Sequence, residues 1–147
     1  MGDRTMKRTL ISLTFLMLVL ALAAISQTKS HKHLVVIELN SPGPDAWQQL
    51  MGNIANIKTA FAPDDVQIEV VCLGKGLSLL LKSNSVYEER LKTFASQGVV
   101  LAACQNSMRL RHVVTEDLFP FAAQVDSGVA EVIRKQEAGW SYVKAGE

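Results

Sequence analysis

The sequence predicts an α/β fold built on a parallel five-stranded sheet with helices on both faces. Three observations predict it. Near-continuous apolar runs rich in β-branched residues, LVVIEL at 34–39 and VQIEVVCL at 66–73, suit strands buried on both faces. Stretches of helical periodicity lie between such runs, with Gly, Pro, Asp, Asn or Ser at the junctions. Strands that alternate with helices pair in parallel through crossover connections.

The first strand, 34–39, is broken by Ser41-Pro42-Gly43-Pro44-Asp45, and Asp45 is a candidate cap for the next helix. Trp47, Leu50, Ile54, Ile57 and Phe61 then fall on one helical stripe, and Ala62-Pro63-Asp64-Asp65 ends the helix. The second strand, 66–73, turns at Gly74-Lys75-Gly76 into a short apolar helical turn at 77–81. Ser85 with Glu88 three residues later has the spacing of a capping box. It opens a helix with Tyr87, Leu91 and Phe94 inward, which Gly98 closes.

Residues 99–103 form the third strand, which runs into Cys104, and 108–114 is helical. A weaker strand spans 123–125. Asp126-Ser127-Gly128 opens a further helix, with Val129, Val132, Ile133 and Gln136 on one side and Gly139 at its end. A short strand at 140–144 completes the sheet. The pattern does not reveal strand order.

The 147 residues suffice for one domain with a substantial core. Fifteen basic and 14 acidic residues leave a formal charge of +1, which gives no pull toward nucleic acid. The N-terminus reads differently from the rest. Arg4, Lys7 and Arg8 precede an uncharged, almost wholly apolar run at 10–25, followed by small residues. That is the pattern of a secretory signal. A spanning helix needs about 20 apolar residues, so an uncleaved anchor is the alternative. The expected organisation is a signal at 1–26, a mobile tail at 27–32 and one domain at 33–147. The protein is expected to be exported, to the periplasm if the source is a Gram-negative bacterium, or else anchored to the inner membrane. Membrane contact is expected only through this N-terminal segment.

Ligands of open parallel sheets bind beyond the carboxyl ends of the strands. Those ends are Asn40-Ser41, Gly74-Lys75-Gly76, Cys104-Gln105-Asn106-Ser107 and Asp126-Ser127-Gly128. Cys104 is the one strong nucleophile among them. A thiol in the first turn of a helix feels about 0.3–1 kcal/mol of favourable dipole, and up to ~2 when partly buried. A fall of one unit from a free thiol pKa of about 8.5 raises the thiolate fraction at pH 7 from about 3% to about 25%. Free cysteine is also among the most buried residue types, so packing is the competing reading. Cys72, inside the second strand, reads as core. Whether the two cysteines pair is left open by the sequence.

Lys75, between two glycines, reads as a candidate anion contact or a solvated loop lysine. Gly74-Lys75-Gly76 lacks the spacing of a P-loop. Arg109 and His112 read as surface or interface residues, and His112 is too far along the helix to act as a base for Cys104. His31 and His33 are a weak metal signal, and no metal is expected.

From 33 to 144 the chain resembles the DsrE/DsrF-like family, small α/β proteins linked to sulfur metabolism. Four features carry the resemblance. A polar turn and a long helix follow the first strand. LGKGLSLLL ends the second. ACQNSM ends the third. SGVAEVIRKQEAGWSYVK closes the domain. The resemblance implies a three-layer sandwich with a flavodoxin-like parallel sheet, homotrimers or homohexamers, and no cofactor. In the sulfur-trafficking members a cysteine after the third strand accepts sulfane sulfur as a persulfide and passes it to a partner. Cys104 matches that position. The implied protein is a sulfur carrier with a donor or acceptor protein, a relay and not a multiple-turnover enzyme. Gln105 and Asn106 amides and the Ser107 hydroxyl would steady the charged sulfur, and Gly74 and Gly76 would leave room for it. The alternative is a non-catalytic oligomeric binding module with a structural cysteine. The well-understood relays are cytosolic, whereas this chain carries an export-like leader.

Overall fold

The computed structural model describes residues 32–146. The expected signal, its cleavage region and His31 lie outside the described residues. The elements are β1 (Lys32–Leu39), α1 (Pro44–Ala60), β2 (Asp65–Cys72), two 3-10 segments (Gly74–Leu80 and Lys82–Tyr87), α2 (Glu88–Ser96), β3 (Val100–Cys104), α3 (Gln105–Leu110), a 3-10 turn (Thr115–Asp117), β4 (Ala123–Val125), α4 (Gly128–Glu137) and β5 (Ser141–Ala145).

The five strands form one parallel sheet in the order β4-β3-β2-β1-β5. The layering is the expected three-layer one. The order differs from the 2-1-3-4-5 of flavodoxin itself. Right-handed crossovers explain which helices go where. From β1 to β4 the chain steps in one direction, so those connections cover one face. It then reverses, returning from β4 to β5 beyond β1, and the connecting helix α4 lands on the opposite face.

The first face carries the larger core. Ile37 and Leu39 of β1 and Val70 and Cys72 of β2 pack against Trp47, Leu50, Met51 and Ile54 of α1 and Leu91 and Phe94 of α2. Full burial of each such aliphatic side chain contributes about 1.5–3 kcal/mol. The second face is thinner, with Val36 and Val71 meeting Val132 of α4. Its buried charge is neutralised: Lys135 Nζ lies 2.6 Å from Glu69 Oε2 and 4.2 Å from the Trp140 ring centre.

Several local expectations are corrected. Gly43, not Asp45, is the N-cap of α1, and Asp45 sits in the first turn behind Pro44. No side chain caps α2, because 82–87 continues as 3-10 helix and carries Ser85 into its interior. Asn84 Nδ2 donates to the Ser78 carbonyl at 2.5 Å, which ties this segment to the preceding one. The helix after Cys104 spans 105–110 instead of 108–114. On α4, Val132 is buried, whereas Val129 and Ile133 are 60% and 49% exposed. Among the described residues no second helix lies on that face to pack against the flank of α4.

Candidate functional site: the Cys104 thiol

Cys104 is the last residue of β3 and the N-cap of α3. The register fixes which face its side chain takes. Cys72 pairs with Ala103, and both belong to the core beneath α1. Side chains alternate along a strand, so Cys104 points to the other face, toward α4. The two thiols therefore lie on opposite sides of the sheet, and both are free. Burial pushes the Cys72 thiol up to about 12, and it serves as core.

The environment of Cys104 is polar at the sulfur and apolar at the walls. Its Sγ accepts the Gly128 N–H at 3.1 Å and the Ser107 N–H at 3.4 Å. Gly128 begins α4, so donors from two helix starts meet at one sulfur. Ser107 is 7% exposed, and its Oγ accepts the Gly74 N–H at 2.7 Å. The Ser107 hydroxyl is also among the groups that favour the Cys104 anion. Burial pushes the thiol up. The Ser107 hydroxyl and the N–H groups of Ser107, Gly128 and Asn106 outweigh that and hold it below the ordinary thiol value.

Close packing makes this geometry possible. A Cβ on Gly128 would lie 2.9 Å from Leu73 Cβ, 3.1 Å from Cys104 Cβ and 3.2 Å from Val71 Cγ1. Only glycine lets the start of α4 approach the sheet closely enough for its N–H to reach sulfur. At Gly76 a Cβ would fall 2.2 Å from the Leu39 carbonyl oxygen. The Gly76 N–H instead donates to the carbonyls of Asn40 and Leu73. Backbone and side-chain bonds thus join the ends of β1, β2, β3 and β4 along one rim.

The sequence-derived site residues divide as follows. Cys104, Ser107 and Asn106 contribute at the sulfur. Gly74 acts one step back, through Ser107, and Gly76 shapes the loop. Gln105 is exposed, and its side chain reaches Gln124 Oε1 at 3.3 Å. Lys75 is exposed, with its carbonyl accepting the Ser78 hydroxyl at 2.7 Å. Arg109 is exposed and bonded to Asn106 Oδ1. His112 is exposed, and His33 stacks on Phe61 at 3.9 Å, 3.5 Å from Asp64. Among the described residues no three His, Cys, Asp or Glu side chains gather in a way that could hold a metal ion. No described helix is long and apolar enough to cross a membrane. Sequence reasoning placed Gly128 on the rim without giving it a role. The Ser127-Gly128 helix start was the available signal, and its partner became visible only once β3 and β4 were neighbours.

A family model described as the DsrE/DsrF-like family matches residues 13–145. The chain belongs to the DsrE/DsrF-like family. A similar solved structure is that of a protein of unknown function from Methanobacterium thermoautotrophicum. The two share 28% identity and a TM-score of 0.72, with 76% of this chain and 98% of that one covered. No curated protein matches the chain. In this DsrE/DsrF-like domain, then, the thiol at the end of β3 sits where two helix starts and a buried hydroxyl favour its anion.

Proposed function

We propose that the protein is a sulfur carrier that takes sulfane sulfur onto Cys104 as a persulfide. The observation that carries this reading is the convergence of the Gly128 N–H and the Ser107 N–H on Cys104 Sγ. In the loading step the thiolate attacks a sulfane sulfur, a new S–S bond forms at Sγ, and the donor S–S bond breaks. The electron pair leaves on the donor sulfur. In unloading, an acceptor thiolate attacks the terminal sulfur and Cys104 departs as thiolate. The same N–H groups that favour the nucleophile favour the leaving group. No external oxidant is consumed. The proposal includes export through the N-terminal segment, a homotrimer or homohexamer, and an acceptor protein outside the cytosol.

A second reading follows from burial. Cys104 is 3% exposed, which also fits a non-catalytic binding module with a structural cysteine. One experiment separates the two. The protein is treated with inorganic polysulfide and its intact mass measured. An adduct one sulfur atom heavier that persists in Cys72→Ser and vanishes in Cys104→Ser supports the carrier. No adduct, or one that follows Cys72, supports the module.

A further inference from the structure

We propose that the segment from Arg109 to Asp117 is a self-complementary docking surface, at which two copies of this chain meet about a twofold axis. This inference rests on the reading of the protein as a homo-oligomer and adds to it a surface and a symmetry. It does not depend on sulfur at Cys104. The end of α3 carries a projecting apolar side chain: Leu110 is 83% exposed, and Val114, just past the helix, is 55% exposed. Val114 also lines a shallow groove of about 330 Å³, together with Met108 and Val113 and with Arg109 and Glu116. Single exposed apolar side chains are ordinary. A projecting leucine one residue from the lining of an apolar groove is a knob and a hole on one surface. The turn that presents them is fixed by backbone bonds. The Arg111 N–H donates to the Ser107 carbonyl at 3.1 Å and the Val113 N–H to the Met108 carbonyl at 2.9 Å. His112 closes the turn in the left-handed conformation, with φ of 55°. Association at such a surface orders little backbone, which keeps its entropic cost low.

The charges argue for a second copy of this chain as the occupant. Arg109 and Arg111 stand at one end of the segment and Glu116 and Asp117 at the other, with Val113 and Val114 between. Among the described residues the ion pairs lie elsewhere, at His33–Asp64 and around Arg134 and Lys135. Arg109 bonds Asn106 Oδ1, and the Asp117 carboxylate accepts the Val114 N–H at 3.0 Å. Lys82 Nζ reaches the Glu116 carbonyl at 2.5 Å and leaves the Glu116 carboxylate without an ion pair. A half-turn rotation lays the basic end of each copy on the acidic end of the other. It also brings Leu110 of each copy to the other's groove. In such an isologous contact every pairing occurs twice. The apolar centre supplies affinity and the charges set the register, because exposed ion pairs contribute little alone while like charges in contact repel. A partner of one charge sign would match only one end of the segment. The twofold contact fits a dimer, or a hexamer of two trimers, and excludes a lone trimer.

Two charge-reversed forms of the full-length chain test this. One carries Arg109→Glu with Arg111→Glu, and the other carries Glu116→Arg. Protein mass is taken by light scattering on a size-exclusion column, in one detergent throughout so that the micelle contribution cancels. The parent is expected to contain an even number of copies. Each reversed form, folded by circular dichroism, should show half the parent's mass, since like charges then meet at both pairings. An equimolar mixture of the two forms should restore the parent's mass, because an acidic segment then meets a basic one. Leu110→Ser, which removes the projecting side chain and changes no charge, should weaken association by about tenfold. Four results overturn the twofold surface and leave the homo-oligomer standing: an odd number of copies in the parent, an unchanged mass in either reversed form, a mixture that stays at half mass, or unchanged association in Leu110→Ser. A monomeric parent overturns the homo-oligomer reading as well. None of these outcomes touches the carrier reading, which stands or falls on sulfur gained at Cys104.

Discussion

Gly128 donates its backbone N–H to Cys104 Sγ at 3.1 Å, joining the first residue of α4 to the last residue of β3. The contact depends on the sheet order. β4 lies beside β3, and the reversal after β4 sends α4 over the face to which Cys104 points.

Gly128→Ala should weaken both the packing and the thiol. The added Cβ meets Leu73, Cys104 and Val71 at 3.2 Å or less, so α4 must lift. The expected loss is about 1–3 kcal/mol in urea unfolding, as for overpacked cores. The thiol should also titrate higher, which the pH dependence of iodoacetamide alkylation at Cys104 measures.

Ser107→Ala removes the hydroxyl that favours the Cys104 anion and leaves the Gly74 N–H without its acceptor, while the two backbone N–H donors to Sγ remain. The thiol should titrate higher than in the parent, because a hydrogen-bonding group that favours the anion is lost. Ultraviolet absorbance of the thiolate across a pH series checks this. Ser107→Thr, which keeps the hydroxyl, should restore the lower value.

The two cysteines should shape alkaline and neutral stability in opposite senses. For Cys72 the folded pKa, about 12, lies above that of the unfolded chain, so the fold favours the neutral thiol. Its contribution is complete below the unfolded pKa and fades as pH rises from about 9 toward about 12, by about 1.4 kcal/mol for each unit of the gap. For Cys104 the folded pKa is depressed. Its contribution is complete above the unfolded pKa and is lost as pH falls through the folded value. Urea midpoints against pH for the parent, Cys72→Ala and Cys104→Ser should show the alkaline decline flattened in the first variant. The rise toward alkaline pH should be flattened in the second.

Mild oxidation should not link Cys72 to Cys104, because the strand register points them to opposite faces. Intact mass after diamide should show no loss of two hydrogens within one chain. A monomeric, folded protein carrying that loss would contradict the register.

Lys135→Met alone should cost roughly 2–3 kcal/mol by leaving Glu69, which is 5% exposed, without its partner. The figure lies under the range for fully buried pairs because Lys135 retains contact with water. Lys135→Met combined with Glu69→Gln should recover most of the loss in thermal unfolding.

Strand positions were legible because a strand buried on both faces has no need of alternation, and LVVIEL and VQIEVVC show that plainly. Residues 82–87 were not legible. Ser85 and Glu88 have capping-box spacing, but Asn84 bonded to Ser78 and Lys82 bonded to the Glu116 carbonyl hold the chain in 3-10 form through Tyr87. The α4 stripe differs from the periodicity because Val129 and Ile133 are apolar at helical spacing, yet among the described residues α4 is the one helix on that face of the sheet. At the site, Cys104 and Ser107 were legible because they are three residues apart at a strand-to-helix junction. Gly128 was not, since its contact spans two elements whose adjacency local periodicity does not encode.

The central claim is that hydrogen bonding by Gly128 and Ser107 makes Cys104 a sulfur acceptor. It is tested most directly by the rate of persulfide formation at Cys104 as a function of pH, with tetrasulfide as donor. The account predicts an inflection below that of a free cysteine peptide, moved upward in Ser107→Ala. No sulfur gained at Cys104, or an inflection at or above that of the free peptide, would contradict it.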